Sequence, residues 1–145
     1  MENLTLSDYQ SLAELRCQIR KFLYFSEQAA RKAGIEPRQH QLLLAIKGLP
    51  GEMRPRVGVL AERLQLQHHS TVELATRLAK RGYIRRRRDS EDGREVLLNL
   101  TPKGEGLLRR LSYDHRQELR TAGPTLMGAL LRVLADGSRH RKRKG

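Results

Sequence analysis

The sequence predicts a mainly α-helical fold carrying one small antiparallel β-ribbon. Apolar residues recur at three-to-four-residue spacing over most of the 145-residue chain, the mark of helices with one buried face. Between residues 60 and 100 that period gives way to alternation, as LAERLQLQHHSTVELATRLAKRG runs into YIRRRRDSEDGREVLLNL. Asp92-Gly93 is a tight-turn signal between the two alternating runs, so they fold back on each other. Helix, break, helix, then a ribbon with a charged tip is the order of a winged helix-turn-helix.

Charge and composition bound what such a fold meets. Lys and Arg number 29 against 16 acids, a net charge of +13 with a pI near 10.8. Residues 138–145 hold five of those cations and no acid, so +8 remains on the rest of the chain. The excess favours a polyanionic partner and says little about fold. A hydrophobic content of 38% is low for a self-sufficient globule and points to a core shared with a second copy. No run approaches the roughly 18 uninterrupted apolar residues of a membrane span. MENLTLSDYQ lacks a basic stretch followed by an apolar one, so a cytoplasmic protein without membrane contact is expected. Cys17 is the single cysteine, which excludes an intrachain disulfide and any multi-cysteine zinc site.

In chain order, Leu12, Leu15, Ile19, Phe22, Leu23, Ala29, Ala30 and Ala33 repeat at helical spacing with cations between them, predicting an amphipathic helix over residues 7–33. A helix of this length covers a core, meets its copy in a dimer, or does both. Gly34 ends it where a left-handed residue is cheapest. Pro37 suits a first helical turn because its missing N–H is not needed there. That helix continues through Leu42, Leu43 and Ile46 to Gly48, with Glu36 as a poor cap. The breakers in LPGEMRPR make residues 49–56 a loop or a very short strand. A third helix over 57–64 packs through Leu60 and Leu64, and residues 65–67 form the turn without the glycine often found there.

The next helix has two faces. His69, Ser70, Glu73, Arg77 and Lys80 form a polar and cationic stripe, while Val72, Ala75, Leu78 and Ala79 form an apolar one. One buried face and one face of short polar and cationic groups suit the major groove of DNA. Gly82 stops this helix. Ile84 then alternates with arginines, and Val96, Leu98 and Leu100 alternate on the return strand. Only two of Arg85 to Arg88 share one side, and Arg86 and Arg88 are assigned to DNA. Thr101-Pro102 starts a further helix with a hydroxyl cap and a first-turn proline, although Gly104 stands where a capping-box glutamate would. It runs through Leu107, Leu108, Leu111 and Leu119 until Gly123-Pro124 interrupts it, and a last helix carries Leu126 to Leu134. From Ser138, SRHRKRKG has too little apolar content to fold and is expected to be a disordered basic tail.

These residues carry a resemblance to MarR-family transcriptional regulators over residues 12–134. Asp92, Gly93 and Arg94 fall on the family's D-x-R wing signature, and Leu100, Thr101 and Gly104 on the L-T-x-x-G that follows. Leu60-Ala61-Glu62, Ser70-Thr71-Val72, Arg77-Leu78 and Gly82-Tyr83-Ile84 match its helix-turn-helix at the right spacings. Each piece alone is weak, and their collinearity over about forty residues is what carries the assignment. The resemblance implies one domain over residues 1–137, with a winged lobe at 34–101 and dimerisation helices at 7–33 and 102–135. It implies a ligand-responsive repressor acting as a homodimer on an inverted repeat of double-stranded DNA. Each reading helix would enter a major groove and each wing tip a flanking minor groove. A small anionic or phenolic effector would sit between the dimer helices and the lobe, lined by Phe22, Phe25, His40 and Leu43 with Arg16 or Arg20 as anion partner. Glu73 and Thr76 are not the commonest occupants of their positions, and Arg56 replaces a small capping residue. Those departures bear on which operator is read, not on the mode.

Physical chemistry assigns the roles. His68, His69, Ser70 and Thr71 in the first turn present short donors and unpaired amides to phosphates or base edges. Arg77 and Lys80, further along, meet phosphates. Arg94 is the cation that the tip projects, and Asp92 is placed to hold its guanidinium as the family's pair does. A narrow minor groove attracts such an arginine. Basic runs are more often solvated faces than readers, and Arg85 to Arg88 stand between the two readings. His68 and His69 point different ways on a helix with no further ligand nearby, so neither metal nor cofactor is expected. Cys17, mid-helix among apolar neighbours, reads as packing ahead of an oxidant sensor. No nucleophile pairs with a histidine and acid pattern and no phosphate-cradling glycine loop appears, so enzymatic activity is not expected. Aromatic residues at 4% argue against stacking on single strands, which ranks a duplex reader above a sequence-tolerant nucleoid or RNA-binding protein.

Overall fold

The computed structural model describes residues 3–88 and 93–142, with side chains as far as residue 135. Its described elements run α1 (Leu6–Lys32), α2 (Pro37–Lys47), α3 (Val57–Leu64), α4 (His68–Lys80), β1 (Ile84–Arg88), β2 (Val96–Leu100) and α5 (Pro102–Lys142). They fall into two compact units: Gln28–Tyr113, which holds the winged helix, and Met1–Glu27 with Asp114–Gly145. Both α1 and α5 contribute residues to each.

Local chemistry explains where the elements start and stop. Thr5 and Asp8 close a reciprocal cap on α1: the Asp8 carboxylate accepts the Thr5 N–H at 2.7 Å, and Thr5 Oγ1 accepts the Asp8 N–H at 3.3 Å. The helix therefore begins at Leu6. At its other end Gly34 has φ +85°. Ile35 donates to the Ala30 carbonyl at 3.1 Å and Gly34 to that of Arg31 at 3.0 Å, the paired bonds that close a helix through a left-handed residue. The end of α4 repeats this, with Gly82 at φ +79° and Tyr83 donating to the Leu78 carbonyl at 3.0 Å. Between α3 and α4 the same duty falls on Gln65, a non-glycine residue at φ 53°. This explains how the turn dispenses with a glycine. Glu36, expected as a poor cap, is part of a capping box, and its N–H donates to Gln39 Oε1 at 3.0 Å. Gln39 at the third helical position was the signal.

The core of the winged unit is a single cluster in which Leu42, Leu43, Leu60, Leu78 and Leu98 are fully buried, closed by Leu107, Leu108 and Leu111 from the first turns of α5. β1 and β2 pair antiparallel from Ile84 with Leu100 to Arg88 with Val96. Arg56 bridges to Leu97, and Leu98 donates to the Pro55 carbonyl at 2.9 Å, so residues 55–56 supply the short strand contact foreseen as an alternative to loop. Thr101 donates its hydroxyl to the Gly82 carbonyl at 2.6 Å and its N–H to that of Tyr83 at 3.0 Å, which ties α5 to the end of α4. A Cβ at Gly104 would collide with the Tyr83 carbonyl oxygen, so the glycine that cannot complete a capping box is there because two backbones meet.

Two expectations about the C-terminal region are corrected. α5 runs without interruption through Gly123 and Pro124. An internal proline costs about 3 kcal/mol, but Leu119, Leu126 and Leu130 keep one helix side across it, so a single helix preserves the apolar face. Secondly, the backbone stays helical to Lys142, past Ser138 where an unfolded tail is expected. Arg and Lys are good helix formers, and extending an existing helix needs no nucleation.

Candidate nucleic-acid interface

Helix α4 presents the residues assigned to DNA, and burial decides which of them can reach it. Thr71, Leu74, Ala75 and Leu78 form the buried stripe. Their spacing turns His69, Glu73, Thr76 and Lys80 outward on the opposite side. His68, His69, Glu73, Arg77 and Lys80 are exposed and Ser70 is half-buried, as a reading face requires. Thr71 is corrected: it is 0% exposed and its hydroxyl donates to the Gln67 carbonyl at 3.1 Å, so it anchors the first turn and touches no base. Val72 is corrected in the opposite sense, being 37% exposed where the sequence reading places it on the buried stripe. Hydropathy alone places a β-branched apolar residue inside, whereas Thr71 occupies the buried position through a hydroxyl bonded to the backbone.

The cap position of α4, Gln67, makes no side-chain cap bond, so the first-turn amides keep their donors for a ligand. Arg77 Nη1 lies 4.0 Å from Glu36 Oε2, with both side chains more than 60% exposed. Such a pair contributes little and releases the arginine readily.

The wing is coupled to this helix. Arg86 Nη1 donates to Thr76 Oγ1 at 3.3 Å, and Thr76 Oγ1 donates to the Val72 carbonyl at 2.9 Å. Arg86 and Arg88 share the strand side of Ile84, Leu98 and Val96, since opposed residues of an antiparallel pair share a face. Arg85 and Arg87 lie on the other. Arg88 Nη1 donates to the Gly93 carbonyl at 2.9 Å, bracing the returning side of the tip. Arg94 is exposed and lines, with Arg86, Val57, Val72 and Val96, an open groove between α3, α4 and the wing. Asp92 lies outside the described residues. Arg56 and Glu95 form an ion pair through Nε and Oε2 at the base of the wing, joining the start of α3 to the start of β2.

Sequence reasoning missed three residues here. Thr76 completes the outward row His69, Glu73, Thr76, Lys80, a spacing legible in the sequence. Glu95 has no such signal, because its partner Arg56 is remote in the chain. Arg81 is the third: at the end of α4, its Nη2 donates to the Gly34 carbonyl at 2.6 Å and its Nη1 to Gln39 Oε1 at 3.3 Å. With Lys103 it also brackets the Tyr83 ring, at 5.2 and 4.5 Å from the centroid. It is a brace of the lobe.

The residues assigned to an effector divide between the two units. Phe22 and Phe25 meet edge-on at the His115 ring, with centroids 6.1 and 5.4 Å away, and His115 Nε2 lies 2.7 Å from Ser26 Oγ. Arg16 and Arg20 are exposed on the same segment of α1. His40 and Leu43 are placed in the winged unit, 3% and 0% exposed, Leu43 inside its core. No helix among the described residues is long and apolar enough to cross a membrane.

A MarR-family model matches residues 33–95 of the chain. No curated protein matches the sequence. AbsC, a MarR-family transcriptional regulator from Streptomyces coelicolor, is similar over 98% of this chain and 99% of its own at 18% identity, with a TM-score of 0.74. A mutant MarR from E. coli, complexed with operator DNA, covers 82% of this chain and 89% of its own at 21% identity and a TM-score of 0.62. BpsR from Bordetella bronchiseptica, whose DNA binding is regulated by 6-hydroxynicotinic acid, covers 86% and 89% at 19% identity and a TM-score of 0.64. At these identities the likeness is one of fold.

Proposed function

We propose that the chain, whose residues 33–95 match a MarR-family model, is a cytoplasmic, sequence-specific, double-stranded DNA-binding transcriptional repressor. It acts as a homodimer on an inverted repeat, by binding rather than by catalysis. The observation that carries this reading is the two-faced α4: a face buried through Thr71, Leu74, Ala75 and Leu78, and an outward row of polar and cationic groups that Arg86 links to the wing.

Support for the dimer comes from the terminal unit, which displays Leu6, Met127, Leu131 and Leu134 at 57–72% exposure. Apolar surface of that extent on two helices marks an interaction face. Two lobes related by a twofold axis then meet half-sites about ten base pairs apart. Release by a small anionic or phenolic effector is proposed by analogy with BpsR, whose DNA binding responds to 6-hydroxynicotinic acid.

Selection of random duplexes by the purified chain, followed by footprinting, tests the proposal. The expected outcome is an enriched sequence of two inverted halves, each protected. Enrichment of no sequence, or equal retention of single-stranded RNA, would return the chain to the sequence-tolerant class.

A further inference from the structure

Glu73 is anomalous on electrostatic grounds. It is the only acid in α4, and it stands exposed in the outward row between His69 and Thr76, on a helix that also carries Arg77 and Lys80, with Arg86 bonded to Thr76 in the same row. A Glu followed four residues later by Arg is the favoured helical ion pair, yet the Arg77 guanidinium approaches Glu36 instead. Among the described residues Glu73 makes no ion pair. Its neighbour Thr76 is already engaged by the Val72 carbonyl and by Arg86. The carboxylate is thus the acceptor that the middle of the reading face offers outward.

A bare carboxylate between two phosphate backbones weakens binding to every duplex, because the polyanion dominates affinity. The loss is offset only where a base edge donates a hydrogen bond to it. Major-groove donors are the amino groups of cytosine N4 and adenine N6. Adenine places the N7 acceptor beside its donor and so repels a carboxylate, whereas cytosine does not. We propose that Glu73 is a specificity-determining residue that selects a cytosine in the major groove of each half-site. This rests on the duplex-reading function proposed above.

The test is selection of random duplexes by the full chain and by its Glu73→Ala and Glu73→Gln variants. Position 73 is exposed and both replacements are good helix formers, so folding is retained. The unaltered chain should enrich cytosine at one position in each half. Glu73→Ala should lose that preference alone while binding non-specific duplex more tightly, since a negative charge has gone. Glu73→Gln should turn the preference towards adenine, because an amide donates to N7 and accepts from N6. Replacing the selected C·G pair by T·A puts the O4 acceptor where the N4 donor was, and should weaken the unaltered chain about tenfold or more while hardly affecting Glu73→Ala. If Glu73→Ala keeps the cytosine preference, or gains affinity for all sequences alike with no positional change, the carboxylate is only a brake on non-specific binding and the proposal falls while the regulator reading stands. If the unaltered chain enriches no sequence at all, both fall together.

Discussion

Leu42, Leu43, Leu60, Leu78 and Leu98 in the winged unit are all 0% exposed, whereas Leu6, Met127, Leu131 and Leu134 in the terminal unit are 72%, 60%, 57% and 62% exposed. Both sets sit at helical or strand spacing and look alike in one dimension. Within the winged unit, three helices, the adjoining ends of α1 and α5 and a ribbon surround one another, so each apolar stripe finds a partner in its own chain. Along the terminal unit, among the described residues, Ala129 is the buried hydrophobic. Amphipathic periodicity therefore reports that a face is to be covered. It does not report by what.

The sharpest way to break this comparison is to damage one representative of each region. Leu78→Ala empties a fully buried site and should destabilise the winged unit by about 2–5 kcal/mol in urea unfolding. Leu131→Asp, on the exposed face, should leave the unfolding midpoint of the diluted chain nearly unchanged while weakening self-association at least about a hundredfold, through burial of an unpaired charge. Sedimentation equilibrium reads the second effect. If Leu131→Asp unfolds the dilute chain and leaves its mass in solution unaltered, the terminal face is covered within one copy and the contrast is lost.

Within the interface the comparison is between wing and reading helix. Arg94→Ala should lower operator affinity by about 1–3 kcal/mol and flatten the salt dependence by about one phosphate contact, with the central base preferences intact. Titrations at several salt concentrations check this, and an unchanged affinity would make the tip a solvated turn. Thr71→Ala should behave in the opposite manner. Removing a buried, bonded hydroxyl costs roughly 1 kcal/mol of stability, and selected base preferences should not move. A change of preference at one position would show that Thr71 reaches DNA after all.

The smallest expected effect concerns a turn common to every use of the lobe. Gln65 holds a left-handed conformation that costs an ordinary residue about 1–2 kcal/mol. Gln65→Gly removes that cost and adds unfolded-state entropy, so a net stabilisation of about 0.5 kcal/mol is expected by thermal unfolding. A clear loss of stability would mean that the Gln65 side chain supports the turn.

Much of the architecture was legible in one dimension because its causes are local. Gly34 and Gly82 end helices through their freedom at positive φ, Pro37 and Pro102 begin them, and the change of period after Gly82 marks the ribbon. Spacing alone puts His69, Glu73 and Lys80 on one helix face, and all three are exposed. What only the tertiary structure decided is which side of a stripe is inside, and where charges pair across distant segments. The sequence allows Val72 or Thr71 to complete the buried face of α4. The arrangement of α2, α3 and the wing around it buries Thr71 fully and leaves Val72 at the surface. Arg81 and Arg86 stand five residues apart, yet one is bonded to Gly34 and the other to Thr76, because a helix end and a strand place them against different neighbours. Gly104 is the plainest case. Its own segment favours a capping glutamate, and only the approach of the Tyr83 carbonyl excludes every side chain there. Dihedral preference and periodicity act over a few residues and so are written in order along the chain, whereas steric and electrostatic contacts between remote segments exist only once the chain has folded.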